Sequence, residues 1–284
     1  MIVSIGEVVW DIIGEKEILG GAPVNVAYHL ASLGLDVGVV TRVGDDSLGR
    51  RTIAKLQDLG VPVNGVQVDP YLDTGVVLVT FGKDHEPSFE IKQPAAWDSI
   101  DAQEAFSLLG SEPFSLVYGT LAQRHQRSRT TIRSLLEKAS FCFYDVNLRP
   151  PFTTRDLVCP SLEAADLVKL NLDELYTVAG WLDLGQGDKH EIAALITETF
   201  KLTAIVVTEG GDGAWLLAEG KLYEDRGEPV EVADTVGSGD AFFAALIEGY
   251  TAKRPWAECL ARANRRGGFV AACQGATPSM PNKI

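Results

Sequence analysis

Short apolar runs recur along this chain, and stretches with the 3.6-residue period of an amphipathic helix separate them. The runs do not alternate with polar residues, so both faces of each predicted strand are buried, as in a parallel sheet covered by helices. This pattern predicts an α/β fold with a mostly parallel central sheet flanked by helices. The predicted strands cover residues 2–5, 37–41, 116–118, 141–144, 167–170 and 204–208.

One region departs from this alternation of strands and helices. Residues 63–68, 75–81 and 88–91 are short strand-like runs with turn residues between them and no helical stretch. They predict a small antiparallel appendage to the main sheet, and an extension of the edge of the main sheet is the alternative. The remaining chain contains no low-complexity linker and no internal repeat, which predicts a single domain over residues 1–284.

Composition and charge narrow the classes of protein to which the chain can belong. The formal net charge is −14, which argues against nucleic acid as a partner. No apolar run is as long as a membrane span, and the N-terminus lacks a basic region followed by an apolar one, so we expect a cytoplasmic protein with no membrane partner. The four cysteines are scattered without a C-x-x-C pair, which predicts free thiols and argues against a zinc site.

The most informative motif is a turn of small residues, Gly237, Ser238 and Gly239, that leads into an apolar helix with Asp240 in its first turn. Free amides at a helix start attract phosphate, and glycines let the backbone approach it closely. A carboxylate beside an anion site repels the anion, but it can take a proton from a hydroxyl group that attacks the anion. The motif predicts phosphoryl transfer to an alcohol, and the alternative is that Asp240 only caps the helix.

A second motif near the N-terminus connects this interpretation with a known protein family. The sequence Gly-Gly-Ala-Pro-Val-Asn at 20–25 is followed by Gly34 and by Gly-Asp-Asp at 44–46. Together with residues 234–246, these segments resemble the two signatures of the ribokinase-like, or PfkB, family of carbohydrate kinases, and residues 20–25 are most similar to the fructokinase branch. The resemblance extends from Gly6 to Ser279, and no phosphate-binding loop of the Walker type occurs.

The resemblance implies a doubly wound sheet and a small antiparallel β lid, from about 12–19 and 63–95, which covers the sugar and often forms a dimer contact. It also implies an ATP-dependent sugar kinase that transfers the γ-phosphoryl group to a primary hydroxyl, with fructose as the first choice of acceptor. 2-Keto-3-deoxygluconate, ribose and nucleosides are alternative acceptors. A non-catalytic relative that binds sugar or nucleotide is the alternative outside enzymes.

On the sugar side, the resemblance implies that Asp11, Gly21 and Asn25 bind the acceptor, while Gly20 allows close approach of the backbone. Carboxylate and amide groups suit the recognition of hydroxyl groups. Asn25 taken alone is equally compatible with a helix N-cap. Phe89 is a candidate for stacking on the sugar, and packing in the core is its alternative.

The charged groups around the phosphoryl group form a second set of candidates. Asp240 is the predicted general base, and the amides of residues 237–240 are the predicted anion hole. Arg149 follows a predicted strand and is a fixed cation suited to phosphate, with a surface salt bridge as the alternative. Glu7 either orients a neighbouring group of the site or caps a strand end.

The resemblance assigns the remaining candidates to the nucleotide and to metal ions. Asn171 and Glu174 match an element that holds Mg²⁺ through water, and they also match a capping box at a helix start. K⁺ dependence is left open, since most ligands of such a site are backbone carbonyls. The nucleotide candidates are Lys169, Asn171, Thr208, Gly210, Gly213, Gly239 and Asn264, and the K⁺ candidates are Asp234, Val236, Val270, Cys273, Gly275 and Ser279.

Overall fold

The computed structural model describes residues 1–81, 87–110, 112–185 and 187–281. Thirteen strands form two sheets within this part of the chain. The strands are β1 (Ile2–Ile5), β2 (Val9–Ile13), β3 (Lys16–Gly20), β4 (Val37–Gly44), β5 (Val66–Asp69), β6 (Gly75–Phe81), β7 (Pro87–Ile91), β8 (Ser115–Gly119), β9 (Phe141–Asp145), β10 (Leu167–Asn171), β11 (Ala204–Thr208), β12 (Ala214–Ala218) and β13 (Lys221–Asp225).

The larger sheet has nine strands in the order β13-β12-β11-β10-β9-β8-β1-β4-β5. All neighbours from β11 to β5 are parallel, and β12 and β13 continue the sheet as antiparallel strands. In this register Ile5 of β1 lies opposite Val40 of β4 and Tyr118 of β8. The prediction of a doubly wound, mostly parallel sheet is confirmed.

Helices cover both faces of this sheet, and each face has its own apolar core. Helices α3 to α7 pack on one face, while α1, α2, α8 and α9 pack on the other. Successive strand residues point to opposite cores, which is why the strands read as unbroken apolar runs. The helices are α1 (Ala22–Ser32), α2 (Ser47–Asp58), α3 (Ala102–Leu109), α4 (Gln126–Leu136), α5 (Arg155–Glu163), α6 (Leu172–Trp181), α7 (Lys189–Phe200), α8 (Ser238–Thr251) and α9 (Trp256–Ala271).

The smaller sheet has the order β3-β2-β6-β7 and includes most of the predicted lid. Its outer pairs are antiparallel, whereas β2 and β6 are parallel. The assignment of residues 63–68 to the lid is wrong, because β5 pairs in parallel with β4 at the edge of the main sheet. The unit β4-α2-β5 is a crossover, which places the second strand beside the first in the same sheet. Residues 82–86 of the predicted lid lie outside the described residues.

No helix in the described ranges is both long enough and apolar enough to cross a membrane.

Candidate active site

The order of the strands creates a crevice at the carboxyl ends of β1 and β8. From β1 the chain proceeds to β4 on one side, while β8 and β9 lie on the other side. Ligands in doubly wound sheets bind where the strand order reverses in this way. Glu7 follows β1, Asp145 ends β9 and Asn171 ends β10, so polar side chains from three strands lie along this edge of the sheet.

Asp240 lies in the first turn of α8 and faces this crevice. Its Oδ2 accepts a hydrogen bond of 2.8 Å from Nδ2 of Asn25 on α1. Burial raises the pKa of Asp240 to about 6, and the nearby charge of Asp145 adds to this rise. The N-cap of the helix is Gly237, and no side chain caps it. The interpretation of Asp240 as a simple helix cap is therefore wrong, and the geometry leaves a carboxylate with a pKa suited to a general base.

The turn before α8 provides amides for an anion. Ser238 donates its N–H to the carbonyl of Thr235 at 3.3 Å, so one of the four predicted amides is engaged. The N–H groups of Gly237, Gly239 and Asp240 have no hydrogen-bond partner among the described residues. They lie at the positive end of the α8 dipole. Three of the four amides of the predicted anion hole are thus free to donate, while the amide of Ser238 is not.

The conformation of this turn requires glycine at 237. Gly237 has a φ of +78°, and a Cβ at this position would lie 2.4 Å from Cβ of Ala276. We expect Gly237→Ala to lower kcat by about 10²–10³-fold, because the clash would shift the turn and move its amides away from the position in which they can donate to the anion. The measurement is steady-state ADP release. Gly220→Ala is the matched control, because Gly220 also has a positive φ but nothing lies within 4 Å of its Cβ position.

If Gly237→Ala kept its kcat while only its melting temperature fell, the turn would have a structural role alone.

A buried ion pair lies directly beneath the turn. Nζ of Lys169 on β10 is 2.9 Å from Oδ1 of Asp145 on β9, and the two residues are paired in the sheet register. A Cβ at Gly239 would lie 3.5 Å from the same Nζ. Burial alone would lower the pKa of Lys169, but the charges of Asp145 and Glu174 outweigh it and raise that pKa. Lys169 is therefore a permanent cation at the anion hole.

Arg149 is the second cation of the site. Its side chain is exposed, and it forms no ion pair with any described residue, so the alternative of a surface salt bridge is not supported. Its charge lowers the pKa values of Glu7, Asp11 and Asp240, although burial raises all three overall. These effects place the guanidinium within electrostatic reach of the site.

The sugar-side candidates meet where the small sheet joins α1. Gly21 is the N-cap of α1 with a φ of +117°, so Asn25 lies inside the first turns of the helix and is not the N-cap. A Cβ at Gly21 would lie 2.6 Å from the carbonyl oxygen of Glu7. A Cβ at Gly20 would lie 3.1 Å from Oδ2 of Asp11, whose pKa burial raises. Glycine is thus needed at position 21, while at position 20 it leaves room for the Asp11 carboxylate.

Phe89 lies on β7 with 64% of its surface exposed, which excludes the alternative of core packing. In the register of the small sheet it is opposite Val79, and Val79 is opposite Ile13. Residues opposite one another share a face of a sheet, and so do residues two apart on one strand. Phe89 therefore shares its face of the small sheet with Asp11.

Asn171 and Glu174 form a capping box at the start of α6. Asn171 Oδ1 accepts from the amide of Glu174 at 2.8 Å, and Glu174 Oε2 accepts from the amide of Asn171 at 2.9 Å. Glu174 Oε1 also accepts from the amide of Leu148 at 2.7 Å. The predicted cap is confirmed, and it fixes both side chains at the edge of the crevice.

Two nucleotide candidates, Gly213 and Asn264, lie next to Asp225, the last residue of β13. A Cβ at Gly213, which has a φ of +92°, would lie 2.3 Å from the carbonyl oxygen of Asp225. Asn264 of α9 donates through Nδ2 to the same oxygen at 2.8 Å and to Oδ1 at 2.7 Å. Thr208 ends β11 and leads into this turn, in which Gly210 has a φ of +58°.

The K⁺ candidates are brought together only in part. Asp234 accepts from the amide of Val236 at 3.0 Å and from the amide of Gly275 at 3.0 Å, which ties the turn before α8 to the C-terminal segment. Val270 is fully buried, while Ser279 is exposed. Cys273 donates its N–H to the carbonyl of Val270 at 2.9 Å.

Two carboxyl groups of the site depend on the tertiary structure: Asp145 was not assigned a role from the sequence, and Glu7 was left between orienting a neighbouring group and capping a strand end. Asp145 is the partner of Lys169, and only the position at a strand end could have indicated it. Glu7 is buried, and burial raises its pKa to about 7. Their importance depends on burial and on pairing between neighbouring strands, which are properties of the folded chain.

Comparisons with known proteins agree with this geometry. The profile of the family described as "pfkB family carbohydrate kinase" matches residues 1–283. The chain is 29% identical to a fructokinase of Klebsiella pneumoniae over 298 aligned positions, covering 98% of this chain and 95% of the relative. It is also 29% identical to an aminoimidazole riboside kinase of Salmonella typhimurium, covering 98% of this chain and 91% of the relative.

A solved structure shows the same architecture with ligands. It is the fructokinase of Vibrio cholerae O395 in its fructose-, ADP- and calcium-bound form, with a TM-score of 0.86 and 25% identity, covering 99% of this chain and 96% of that chain. The fold and the site thus define a sugar kinase of the ribokinase-like class. The chain belongs to the pfkB family of carbohydrate kinases. The prediction of an ATP-dependent sugar kinase is thereby confirmed.

Proposed function

We propose that this kinase transfers the γ-phosphoryl group of ATP to a primary hydroxyl of fructose, with Asp240 as the general base. The assignment is based mainly on the hydrogen bond that Asn25 donates to Asp240 at the start of α8. It places a buried carboxylate between the residue predicted to bind the sugar and the amides predicted to bind the phosphoryl group. The alternative of a non-catalytic relative loses support, because both the base and the turn are intact.

The chemical step follows from this placement. The hydroxyl oxygen of the acceptor attacks the γ-phosphorus while the bond to the β,γ-bridging oxygen breaks, so that ADP leaves. The hydroxyl proton passes to the Asp240 carboxylate, whose pKa of about 6 keeps it ionised at neutral pH. Such transfers depend mainly on positioning and on neutralisation of charge.

Hydrogen-bond donors and positive charges that this step needs surround the turn. The free amides of Gly237, Gly239 and Asp240 would donate to the transferred group, and Lys169 would neutralise it from beneath. Arg149 would neutralise it from the exposed side. These fixed groups also explain how an acidic protein binds a polyanionic nucleotide, since local positive charges offset the global field.

The donor set at the start of α6 fits Mg²⁺ held through water. Both Glu174 oxygens already accept backbone amides, and so does Oδ1 of Asn171, which leaves their second lone pairs for water molecules of a hydrated ion. Bound there, Mg²⁺ would supply positive charge to the phosphate oxygens of the nucleotide. The two side chains would orient its water ligands.

The nucleotide itself would lie along the carboxyl ends of β10 and β11. Thr208, Gly210 and Gly213 would contact its phosphates and ribose, and Asn264 would lie beside the base. The Vibrio cholerae fructokinase supports ATP as the nucleotide, since its structure contains ADP, the product of ATP in this reaction.

Fructose is proposed as the acceptor because several of the curated relatives are fructokinases. A riboside is the second candidate, because the aminoimidazole riboside kinase is equally identical to this chain. Phe89 on the Asp11 face of the small sheet offers an apolar surface to the ring of either acceptor. 2-Keto-3-deoxygluconate and ribose remain in the set to be tested.

Three further proposals accompany the reaction. A K⁺ ion would bind where Asp234 joins the turn before α8 to Gly275, and it would stabilise the anion hole. The small sheet would form a homodimer contact through its edge strands β3 and β7, on which Ile18 and Phe89 are exposed. The protein would act in the cytoplasm, where its ATP is available.

The deciding experiment measures ADP release from Mg-ATP with fructose, ribose, 2-keto-3-deoxygluconate, adenosine and aminoimidazole riboside, each with and without K⁺. Strong turnover with fructose supports the proposal, and the K⁺ arm tests the cation site. Turnover only with a riboside replaces the acceptor but keeps the mechanism. Absence of turnover with every acceptor, despite measurable ATP binding, would contradict the proposed reaction.

The pH dependence tests the base independently of the acceptor. The base must be ionised to accept the proton, and the pKa of Asp240 is raised to about 6. We therefore expect kcat/KM to fall about tenfold per pH unit below pH 6 and to be level just above it. A profile that stays level down to pH 4.5 would contradict the assignment of Asp240 as the base.

A further inference from the structure

A small cavity lies at the carboxyl ends of β1, β8 and β9, next to the candidate active site. Its volume is about 20 Å³. Pro23 of α1 borders it, and its polar lining residues are Ser4, Glu7, Tyr118, Thr120, Asp145 and Asn147. A cavity needs roughly 10–15 Å³ to hold one water molecule, so this one has room for a water molecule.

Two carboxylate oxygens border this cavity without a partner. Glu7 is 5% exposed and Asp145 is 4% exposed. Among the described residues, neither Oε2 of Glu7 nor Oδ2 of Asp145 has a hydrogen-bond partner. A buried polar atom without a hydrogen-bond partner is costly, so two such oxygens on the lining of one cavity call for a donor within it.

The neighbouring side chains do not supply that donor. Thr120 Oγ1 donates to the carbonyl of Val146, and it is also within 2.6 Å of the Tyr144 hydroxyl. Ser4 donates its hydroxyl to the carbonyl of Pro23 at 2.8 Å. The hydroxyl groups of Thr120 and Ser4 thus already donate to backbone carbonyls and do not donate to either carboxylate oxygen.

We propose that this cavity binds one water molecule, which donates one hydrogen bond to Glu7 and one to Asp145. A water molecule has two donor hydrogens, which matches the two acceptor oxygens. Glu7 is then a positioning residue for the reaction, and this role rests on the proposed kinase function.

The proposed water molecule affects the phosphoryl site through Asp145. Its other oxygen, Oδ1, binds Nζ of Lys169 at 2.9 Å, and that Nζ lies beneath Gly239. With Oδ2 held by the water, the carboxylate cannot rotate and the ammonium group stays aimed at the turn. Glu7 thereby fixes the position of Lys169 without touching substrate or nucleotide.

The test combines a structure with two variants of Glu7. A high-resolution crystal structure of the wild-type protein should show a water molecule about 2.7–3.0 Å from both oxygens. Glu7→Gln keeps an acceptor for the water and should stay within about threefold of the wild-type kcat. Glu7→Met has a similar length but no acceptor, and its kcat should fall about 10–100-fold, as misplaced groups do, with both KM values nearly unchanged. Glu137→Gln, at an exposed position, is the control for the substitution itself.

Several outcomes would overturn the inference. An empty cavity, a metal ion with contacts near 2.4 Å, or a direct hydrogen bond between Glu7 and Asp145 in the wild-type structure would each exclude the water. Equal kcat values for Glu7→Met and Glu7→Gln would exclude the positioning role. If Glu7→Met does not fold, the wild-type structure and the Gln variant decide. The structural arm does not depend on turnover, so failure of the proposed reaction remains distinguishable.

Discussion

Replacing Asp240 with Asn is expected to lower kcat by about 10²–10⁴-fold, the usual contribution of a general base. An amide cannot accept the proton of the acceptor hydroxyl, whereas its oxygen can still accept the hydrogen bond from Asn25. The KM values for the sugar and for ATP should therefore change much less than kcat. Steady-state ADP release at saturating concentrations of both substrates measures the effect.

Stability separates loss of the base from loss of the fold in this variant. The pKa of Asp240 in the folded protein is raised from 3.8 to about 6, so the folded state favours the neutral carboxyl. The stability associated with that neutral form is present below pH 4 and is lost as the pH rises through about 6. At pH 7.5 the Asn variant should consequently be at least as stable as the wild type.

Asp36→Asn is the matched control, since Asp36 is exposed directly before β4, at the end of the sheet opposite the crevice. It should leave both kcat and the melting temperature unchanged. An Asp240→Asn variant with near-normal kcat would disprove the assignment of the base.

Replacing Lys169 with Met is expected to have the largest effect on stability. It removes the partner of Asp145 and leaves a carboxylate buried without compensation, which typically costs about 3–5 kcal/mol. It also removes the cation beneath Gly239, so kcat should fall along with stability. Chemical denaturation measures the first effect, and ADP release from the folded fraction measures the second.

A double variant distinguishes the two roles of Lys169. Adding Asp145→Asn to Lys169→Met removes the unpaired charge, so most of the lost stability should return while kcat remains low. Lys55→Met is the control, because Lys55 is exposed on α2. If Lys169→Met alone kept both stability and kcat, neither the ion pair nor the cation would have the role proposed here.

The two substitutions together describe how the site is built. Asp240 lies in the first turn of α8, and Lys169 lies in the middle of β10. Both side chains are next to the turn that precedes α8. Each is buried, and each carries its charge because a neighbour supports it. A change at either position therefore alters the electrostatics of the other, since the charge of Lys169 lowers the pKa of Asp240.

Local patterns in the sequence predicted much of this molecule. The apolar runs predicted strands of the main sheet, because a strand that is buried on both faces consists almost entirely of apolar residues. The capping box of Asn171 and Glu174 was predictable because both partners lie within one turn of helix. The glycine turn before Asp240 was predictable for the same reason.

Local patterns left alternatives open at two places, and one of the two expectations, the assignment of residues 63–68 to the lid, was wrong. The pattern of residues 63–68 predicted a lid strand, but these residues follow the crossover through α2 and pair with β4 in the main sheet. Asn25 was compatible with an N-cap, but α1 begins earlier, at Ala22. In both cases neighbouring elements decided between alternatives of similar local stability.

The sequence by itself determined the class of fold and the family, and it predicted the general base, because each depends on residues that are adjacent or regularly spaced. Only the tertiary structure decided that Asp145 holds Lys169, that Asn25 meets Asp240, and that Glu7 borders a cavity at the sheet edge. These contacts join residues far apart in the chain. Their energies depend on burial, and burial exists only after the sheet and its helices have packed.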